Sequence, residues 1–252
     1  MAKQKSIIKL EGAIGDLTFF KTTDGYLARE TSPVSAKRIQ TDPAYQRTRE
    51  NMSEFSRAGK AAKLLRDSIK VWVQNAKDAK LSSRLTKKMM SVLMADKQST
   101  RGQRNVIDGE ATLLEGFEFN MDSPLTATLS VPFTTTLDRT TGIANITIPA
   151  LIPEKQVTVP DGATHYKLTA VIAEIDFGAE KTVVVSQQTD FLPWDNIQTA
   201  ALALTGTVTA KSTHPIFVLL GIEFSQQVNG AQYSLKNGSF NSLRIVKVDG
   251  ND

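Results

Sequence analysis

Apolar residues change their spacing along this chain near residue 110. Before that point, from about residue 41, they recur every three or four positions, which predicts amphipathic helices. From about Leu113 they alternate with polar residues in short runs between turns, which is typical of an antiparallel β-sandwich. The pattern therefore predicts an α+β fold, with an N-terminal hairpin and a helical bundle segment in 1–110 and a β-sandwich domain in 111–252.

The N-terminal segment has the pattern of a β-hairpin, with strands expected at 7–10, 17–20 and 26–27. Asp24-Gly25 lies between alternating apolar runs, and glycine accepts the positive φ that a tight turn needs. A ribbon of this size is marginal in water, so we expect it to pack on or pair with another structure. The polar residues 29–41 predict a linker. The side chains predicted to form an assembly interface are Ile8, Leu10, Leu17, Phe19, Phe20 and Tyr26.

Helical spacing predicts a first helix that begins near Pro43. Thr41 or Asp42 can serve as its N-cap, and Pro43 fits the first helical position because that residue needs no N–H partner. Gly59 is expected to mark a joint. The predicted helices cover about 43–58, 60–75 and 82–97.

In the sandwich region, alternation over 125–133 predicts a strand. The run 216–224 is apolar on both faces until Glu223, which fits a central strand covered on each side. Further strands are predicted at 117–119, 146–148, 166–177, 182–186, 200–209 and 243–248.

The charge is distributed unevenly between the two regions. Residues 1–110 hold 22 Lys and Arg against 12 Asp and Glu, a net charge of +10. The remaining residues hold 8 and 14, a net charge of −6, so the total of +4 conceals the difference. This asymmetry favours either a polyanionic partner for the basic region or front-to-back stacking of like subunits.

The composition excludes several kinds of active site. With no Cys and two His, thiolate catalysis, disulfides and multi-His metal sites are excluded. No apolar run is long enough to span a membrane, and the first residues lack the apolar core of a signal peptide. We therefore expect no enzyme activity, cofactor, metal or membrane insertion. Synthesis in the cytoplasm without a signal peptide is expected, and the final location, an extracellular assembly or a virion, stays open.

Basic residues of the predicted helices suit contacts to a phosphate backbone. Acidic residues such as Glu50 and Glu54 interrupt them, and no helix-turn-helix, zinc or stacking-aromatic pattern accompanies them. Docking against an acidic protein surface is therefore favoured over nucleic-acid binding. The basic surface residues are Arg47, Arg49, Arg57, Lys60, Lys63 and Arg66.

A few other residues have chemical potential but incomplete surroundings. Glu174 and Asp176 share one strand face, yet hydrolysis or calcium binding needs a further element, so solvated charges are expected. His165 and His214 have no triad spacing and are expected to be structural. Trp194 follows Leu-Pro in a loop and is a candidate surface aromatic for a sugar.

The N-terminal residues also show a family resemblance. The segments GAIGDLTFFK at 12–21, DGYLAR at 24–29, DPAYQRTREN at 42–51 and FSRAGK at 55–60 resemble a family of uncharacterised proteins common in Bacteroidota genomes. The similarity runs to RIVKVD at 244–249. The resemblance implies a bacterial source of that group and transfers no catalytic or binding residue.

Together these features predict a non-enzymatic structural subunit that self-assembles as a filament, surface appendage or phage-particle component. In the predicted mechanism, the hairpin of residues 5–30 adds strands to an exposed sheet edge of a neighbouring subunit. Packing of the hairpin within its own chain is the alternative. Two other functions stay open: a nucleic-acid-associated packaging protein that uses the basic helices, and a carbohydrate-binding β-sandwich.

Overall fold

The computed structural model divides the chain into two compact units, residues 1–51 and residues 52–252. The sequence pattern predicts a division near residue 110 instead. The contacts divide the chain earlier because the helices after residue 52 share a hydrophobic core with the sheet that follows them. The residues that the structure describes are 1–22, 25–31, 34–235 and 238–250.

The first unit contains a four-stranded antiparallel sheet. Its strands are β1 (Ala2–Lys3), β2 (Gly12–Ile14), β3 (Leu17–Thr22) and β4 (Gly25–Glu30), in the order β1-β4-β3-β2. The predicted hairpin of strands 17–20 and 26–27 is confirmed, although Thr23 and Asp24 of its turn lie outside the described residues. The strand predicted at 7–10 is wrong, because those residues form a loop between β1 and β2.

Helix α1 (Ala36–Thr41) occupies the second half of the linker predicted at 29–41. The side chain of Ser35 accepts a hydrogen bond from the Arg38 amide at 3.2 Å, which satisfies one of the free amides at the start of this helix. Asp42 caps as predicted, with its carboxylate accepting from the Ala44 amide at 2.9 Å, but the element it begins is a short 3-10 turn, Pro43–Tyr45.

Helix α2 (Gln46–Ser68) runs without interruption through Gly59, so the joint predicted there is wrong. The break falls at Ile69, which is fully buried and precedes α3 (Lys70–Asn75). The third predicted helix is confirmed as α4 (Leu81–Met94). The buried positions of α2 and α4 recur every three or four residues, as the spacing predicts.

The second unit is built on two antiparallel sheets. The larger sheet has the path β12-β11-β7-β8, and β13 and β9 also pair with β11 and β7 respectively. The smaller has the order β10-β6-β5. The strands are β5 (Thr134–Asp138), β6 (Ile143–Ile148), β7 (His165–Asp176), β8 (Lys181–Gln188), β9 (Leu192–Pro193), β10 (Leu202–Thr207), β11 (Ile216–Val228), β12 (Ala231–Ser234) and β13 (Ser242–Asp249).

The larger sheet is buried on both faces. On one face, residues such as Phe217 and Leu219 pack with α2 and α4 in one hydrophobic core. On the other face, residues such as Val218 and Leu220 pack with β6 and β10 in a second core. The predicted central strand is therefore confirmed in β11, and the antiparallel sandwich carries a helical layer on its outer face.

One predicted strand is helical instead. The alternating residues 125–133 begin with helix α5 (Leu125–Thr128), because Pro124 starts the turn and Thr128 donates its amide back to the Pro124 carbonyl. A second single-turn helix is α6 (Pro153–Gln156). Residues 116–119 pair with β13 through hydrogen bonds such as Phe119 amide to Leu243 carbonyl at 2.8 Å, so they cover that edge of the larger sheet.

Candidate assembly surface

A tight turn at Gly15 sets the register of the first unit. Ile14 and Leu17 pair across a two-residue connection, and Gly15 has φ +56°, which favours glycine. The same register pairs Gly12 with Phe19. Residues directly opposite one another point to the same face of an antiparallel pair. Ile14, Leu17 and Phe19 therefore share one face of the sheet.

The side chain of Gln4 holds the loop that follows β1. Its carbonyl oxygen accepts from the Leu10 amide at 2.9 Å, and its amide group donates to the Leu10 carbonyl at 3.3 Å and the Leu27 carbonyl at 3.0 Å. The Lys9 ammonium donates to the backbone carbonyl of Gln4 at 2.7 Å. These contacts close the loop at its base and leave Ile7 and Ile8 at its tip.

The apolar residues of this unit are mostly open to solvent. No described residue of 1–51 is buried. Ile7 is 100% exposed, Ile8 72%, Ile14 62% and Leu17 45%. A sheet that exposes such side chains has no core of its own, so it gains little from the hydrophobic effect until another surface covers it.

The predicted interface residues do not form one surface. Leu17, Phe19 and Tyr26 lie on the same face as Ile14, according to the strand register. Phe20 points to the opposite face, where the Arg29 guanidinium stacks on its ring at 5.4 Å. Ile8 and Leu10 lie in the loop. Gln4, which holds this loop, could not be predicted from the sequence, because a lone glutamine has no pattern that marks it.

Several predicted basic surface residues are used within the chain. Arg49 donates to the carbonyls of Ile39 and Asp42, and Arg66 donates to the Ser82 hydroxyl at 2.8 Å. Arg57 holds residues 102–104 through three hydrogen bonds. The remaining three basic residues differ: Arg47 makes an exposed ion pair with Glu50, and Lys60 and Lys63 are exposed on α2.

The acidic pair on β7 has a structural role instead of lying in solvent as predicted. Glu174 is buried and accepts hydrogen bonds from the Thr209 amide at 3.1 Å and the Ser212 hydroxyl at 2.6 Å. Burial raises the pKa of Glu174, but these hydrogen bonds lower it by more than burial raises it. The pKa of Glu174 therefore lies below its ordinary value. Asp176 accepts from the Gly178 and Ala179 amides, which fixes the turn after β7.

The other residues singled out from the sequence are tied into the fold. Trp194 is half-buried, its indole N–H donates to the Val157 carbonyl at 3.0 Å, and it lines a cleft with residues of 154–163, so the predicted sugar contact stays a prediction. His214 lies 3.6 Å from Asp176, and His165 contacts the Thr164 hydroxyl at 2.9 Å. Neither histidine is placed in a triad by these contacts.

Among the described residues, no group of three or more His, Asp or Glu is arranged to hold a metal ion. None of the helices in the described ranges is long and apolar enough to cross a bilayer. Comparisons with known protein families, with curated proteins and with solved structures found no match.

Proposed function

We propose that this protein is a non-enzymatic structural subunit that self-assembles through its first unit. The observation that carries the proposal is the sheet of β1–β4, which exposes Ile14 and Leu17 and contains no buried residue in its described part. A second copy of the chain is the proposed occupant of this surface. Covering the apolar face of β2 and β3 supplies the burial that the sheet lacks.

The outer edge of β2 is the proposed contact line. Because Ile14 and Leu17 flank a two-residue turn, they form a hydrogen-bonded pair, and the next pair, Ala13 and Thr18, is a non-hydrogen-bonded one. The amide and carbonyl of Ala13 therefore point away from β3. An unpaired edge of this kind accepts a further strand, and side chains on alternate positions then enter pockets on the partner.

The acceptor is proposed to lie in residues 111–252 of the neighbouring subunit. This region carries a net charge of −6, and the first unit, residues 1–51, holds 9 Lys and Arg against 6 Asp and Glu, a net charge of +3, so contact between them brings opposite charges together. Among the described residues of this region, six strands pair with one neighbouring strand each, and these are β5, β8, β9, β10, β12 and β13; residues 116–119 cover β13, and β9 is two residues long. The Gln187 side chain of β8 accepts from the Thr205 amide of β10, which leaves β5 and β12 as the preferred acceptors.

Sedimentation velocity of the full chain tests this proposal. The wild type should form large particles, and the variant Ile14→Thr/Leu17→Thr should sediment as a smaller species because it removes apolar area from the proposed face. Ile197→Thr is the matched control, since Ile197 is 69% exposed in the second unit. A wild type that stays monomeric at all concentrations, or a double variant that assembles as before, would contradict the proposal.

Salt separates the contribution of charge from that of apolar contact. Raising the ionic strength from about 0.05 M to about 0.5 M shortens the screening length several-fold and should weaken assembly if the two regions attract each other. Purely apolar contacts would not weaken in this way. Assembly that is unchanged or strengthened by salt would contradict the front-to-back charge arrangement while leaving the apolar face as the contact.

A further inference from the structure

We propose that a cleft in the second unit binds a small organic anion. The cleft has a volume of about 670 Å3 and lies between α2, residues 105–107 and the turn that joins β7 to β8. Cavities of roughly 300–1,000 Å3 are the size that holds small ligands. All its lining residues belong to the second unit, so the proposal is independent of self-assembly through the first.

Cationic side chains line one wall of this cleft. Arg57, Lys60 and Lys63 are three residues apart along α2, and all three line the cavity. Within the described part of the chain, neither lysine amine has an ion pair or hydrogen bond. Like charges at this spacing repel each other mildly on a helix. An anion between the two amines relieves that repulsion and supplies the partner that both lack.

The walls of the cleft are fixed by hydrogen bonds. The Arg57 guanidinium donates to the carbonyls of Gly102 at 2.8 Å and Arg104 at 3.0 Å, which holds the segment leading to residue 105. The Asn105 side-chain carbonyl accepts from the Ile107 amide at 2.8 Å. On the opposite side, Asp176 accepts from the amide of Gly178 at 2.9 Å. The site is therefore already formed before a ligand binds. Binding costs little free energy for ordering the protein.

The rest of the lining selects the kind of anion. Leu64, Ile107 and Phe177 contribute apolar surface, and Phe177 is held edge-to-face against the buried Phe217 with ring centroids 6.4 Å apart. Amines beside an aromatic and aliphatic surface fit a ligand with an apolar body and one acidic group. Asp67 and Glu180 also line the cleft and repel a long polyanion. The ligand class is thus a small carboxylate or phosphate monoester with an apolar or aromatic part.

Fluorescence titration of the full chain with anilinonaphthalene sulfonate tests the site, since this probe is itself an aromatic anion. Lys60→Gln/Lys63→Gln should weaken its binding by about fivefold or more, from the loss of two partly screened charge contacts. Lys70→Gln/Lys77→Gln is the matched control, because these lysines are exposed outside the cleft. Equal affinity in wild type and the Lys60/Lys63 variant, or equal weakening in both variants, would overturn the proposal.

Displacement of the probe identifies the acidic group. Octanoate and adenosine monophosphate are added separately to the wild type with bound probe. Displacement by octanoate that is lost in Lys60→Gln/Lys63→Gln supports a carboxylate ligand, and the same result with adenosine monophosphate supports a phosphate ligand. If neither compound displaces the probe at about 1 mM, the site has no useful affinity for either class and the proposal fails.

Discussion

The Glu174 carboxylate accepts a hydrogen bond from the Ser212 hydroxyl at 2.6 Å, and both residues are buried. A second bond, from the Thr209 amide at 3.1 Å, ties the same carboxylate to the chain after β10. Glu174 lies on β7, at the centre of the larger sheet. The carboxylate therefore holds the segment between β10 and β11 against the sheet. Hydrogen bonds to a charged acceptor are stronger than those between neutral groups.

We expect Glu174→Gln to destabilise the fold by about 1–3 kcal/mol, because glutamine has one acceptor oxygen where the carboxylate has two, so one of the two hydrogen bonds is lost and a buried donor is left unsatisfied. Urea unfolding at neutral pH measures the change. Glu180→Gln, at an exposed position on the turn after β7, is the control and should change stability by less than about 0.5 kcal/mol. Equal stability of wild type and Glu174→Gln would show that the carboxylate is not needed.

The same carboxylate gives a pH dependence with a defined sign. The pKa of Glu174 is below its ordinary value of 4.5, so the unfolded state binds a proton more readily than the folded state. Its stabilising contribution is present above pH 4.5 and is lost as the pH falls through the lower folded pKa. The stability difference between wild type and Glu174→Gln should therefore shrink as the pH falls below 4.5 in urea titrations. A difference that grows on acidification would contradict the assignment.

Gly59→Ala tests the continuity of α2. A Cβ added at Gly59 meets no atom within 4 Å, and the residue lies in the interior of the helix. The variant should gain about 0.5–1 kcal/mol, because alanine loses less backbone entropy on folding. Thermal unfolding measures the gain. Gly142→Ala is the contrasting variant and should destabilise, since Gly142 has φ +74° and a Cβ there would lie 2.4 Å from the Val208 carbonyl oxygen. A loss at Gly59 would indicate a joint there.

Gln4→Ala tests the loop that presents Ile7 and Ile8. The variant removes the hydrogen bonds that close the loop at Leu10 and Leu27. Amide hydrogen exchange at Leu10 should accelerate about tenfold, as expected for the loss of roughly 1.4 kcal/mol of local stability. Gln46→Ala is the control, because the described hydrogen bond of the Gln46 side chain goes to the nearby Glu50 side chain on its own helix. Unchanged exchange at Leu10 would mean that the loop is held by other contacts.

The spacing of apolar residues along the sequence correctly predicted the elements whose form depends on which of their faces are buried. The central strand β11 follows from a run that is apolar on both faces, and the stripe on α4 follows from helical spacing. Gly59 misled the prediction because its lack of a side chain lowers helix propensity without preventing a helix. The run 125–133 alternates, yet Pro124 and local hydrogen bonds favour a helical turn there.

The candidate surfaces were harder to predict because they depend on contacts between distant residues. Phe19 and Phe20 are both apolar, and only the register with β4 shows that they face opposite sides of the sheet. The cleft beside Lys60 forms from segments more than a hundred residues apart in sequence, α2 and the turn after β7. The spacing of Lys and Arg along the sequence does not show which of them make hydrogen bonds within the chain, as Arg57 does. It also does not show which remain available for a ligand.

Ala13→Pro tests the outer edge of β2. The Ala13 amide faces away from β3, so proline removes a donor that the sheet itself does not use, and proline is accepted on an edge strand. Gly12 has φ +112°, outside the helical region that a following proline disfavours. We expect an unchanged circular dichroism spectrum and at least a tenfold rise in the concentration needed for assembly, equivalent to about 1.4 kcal/mol, measured by sedimentation. Ala13→Val keeps the amide and should assemble like the wild type. If the proline variant also assembles normally, β2 does not donate its edge, and the apolar face carries the contact by itself.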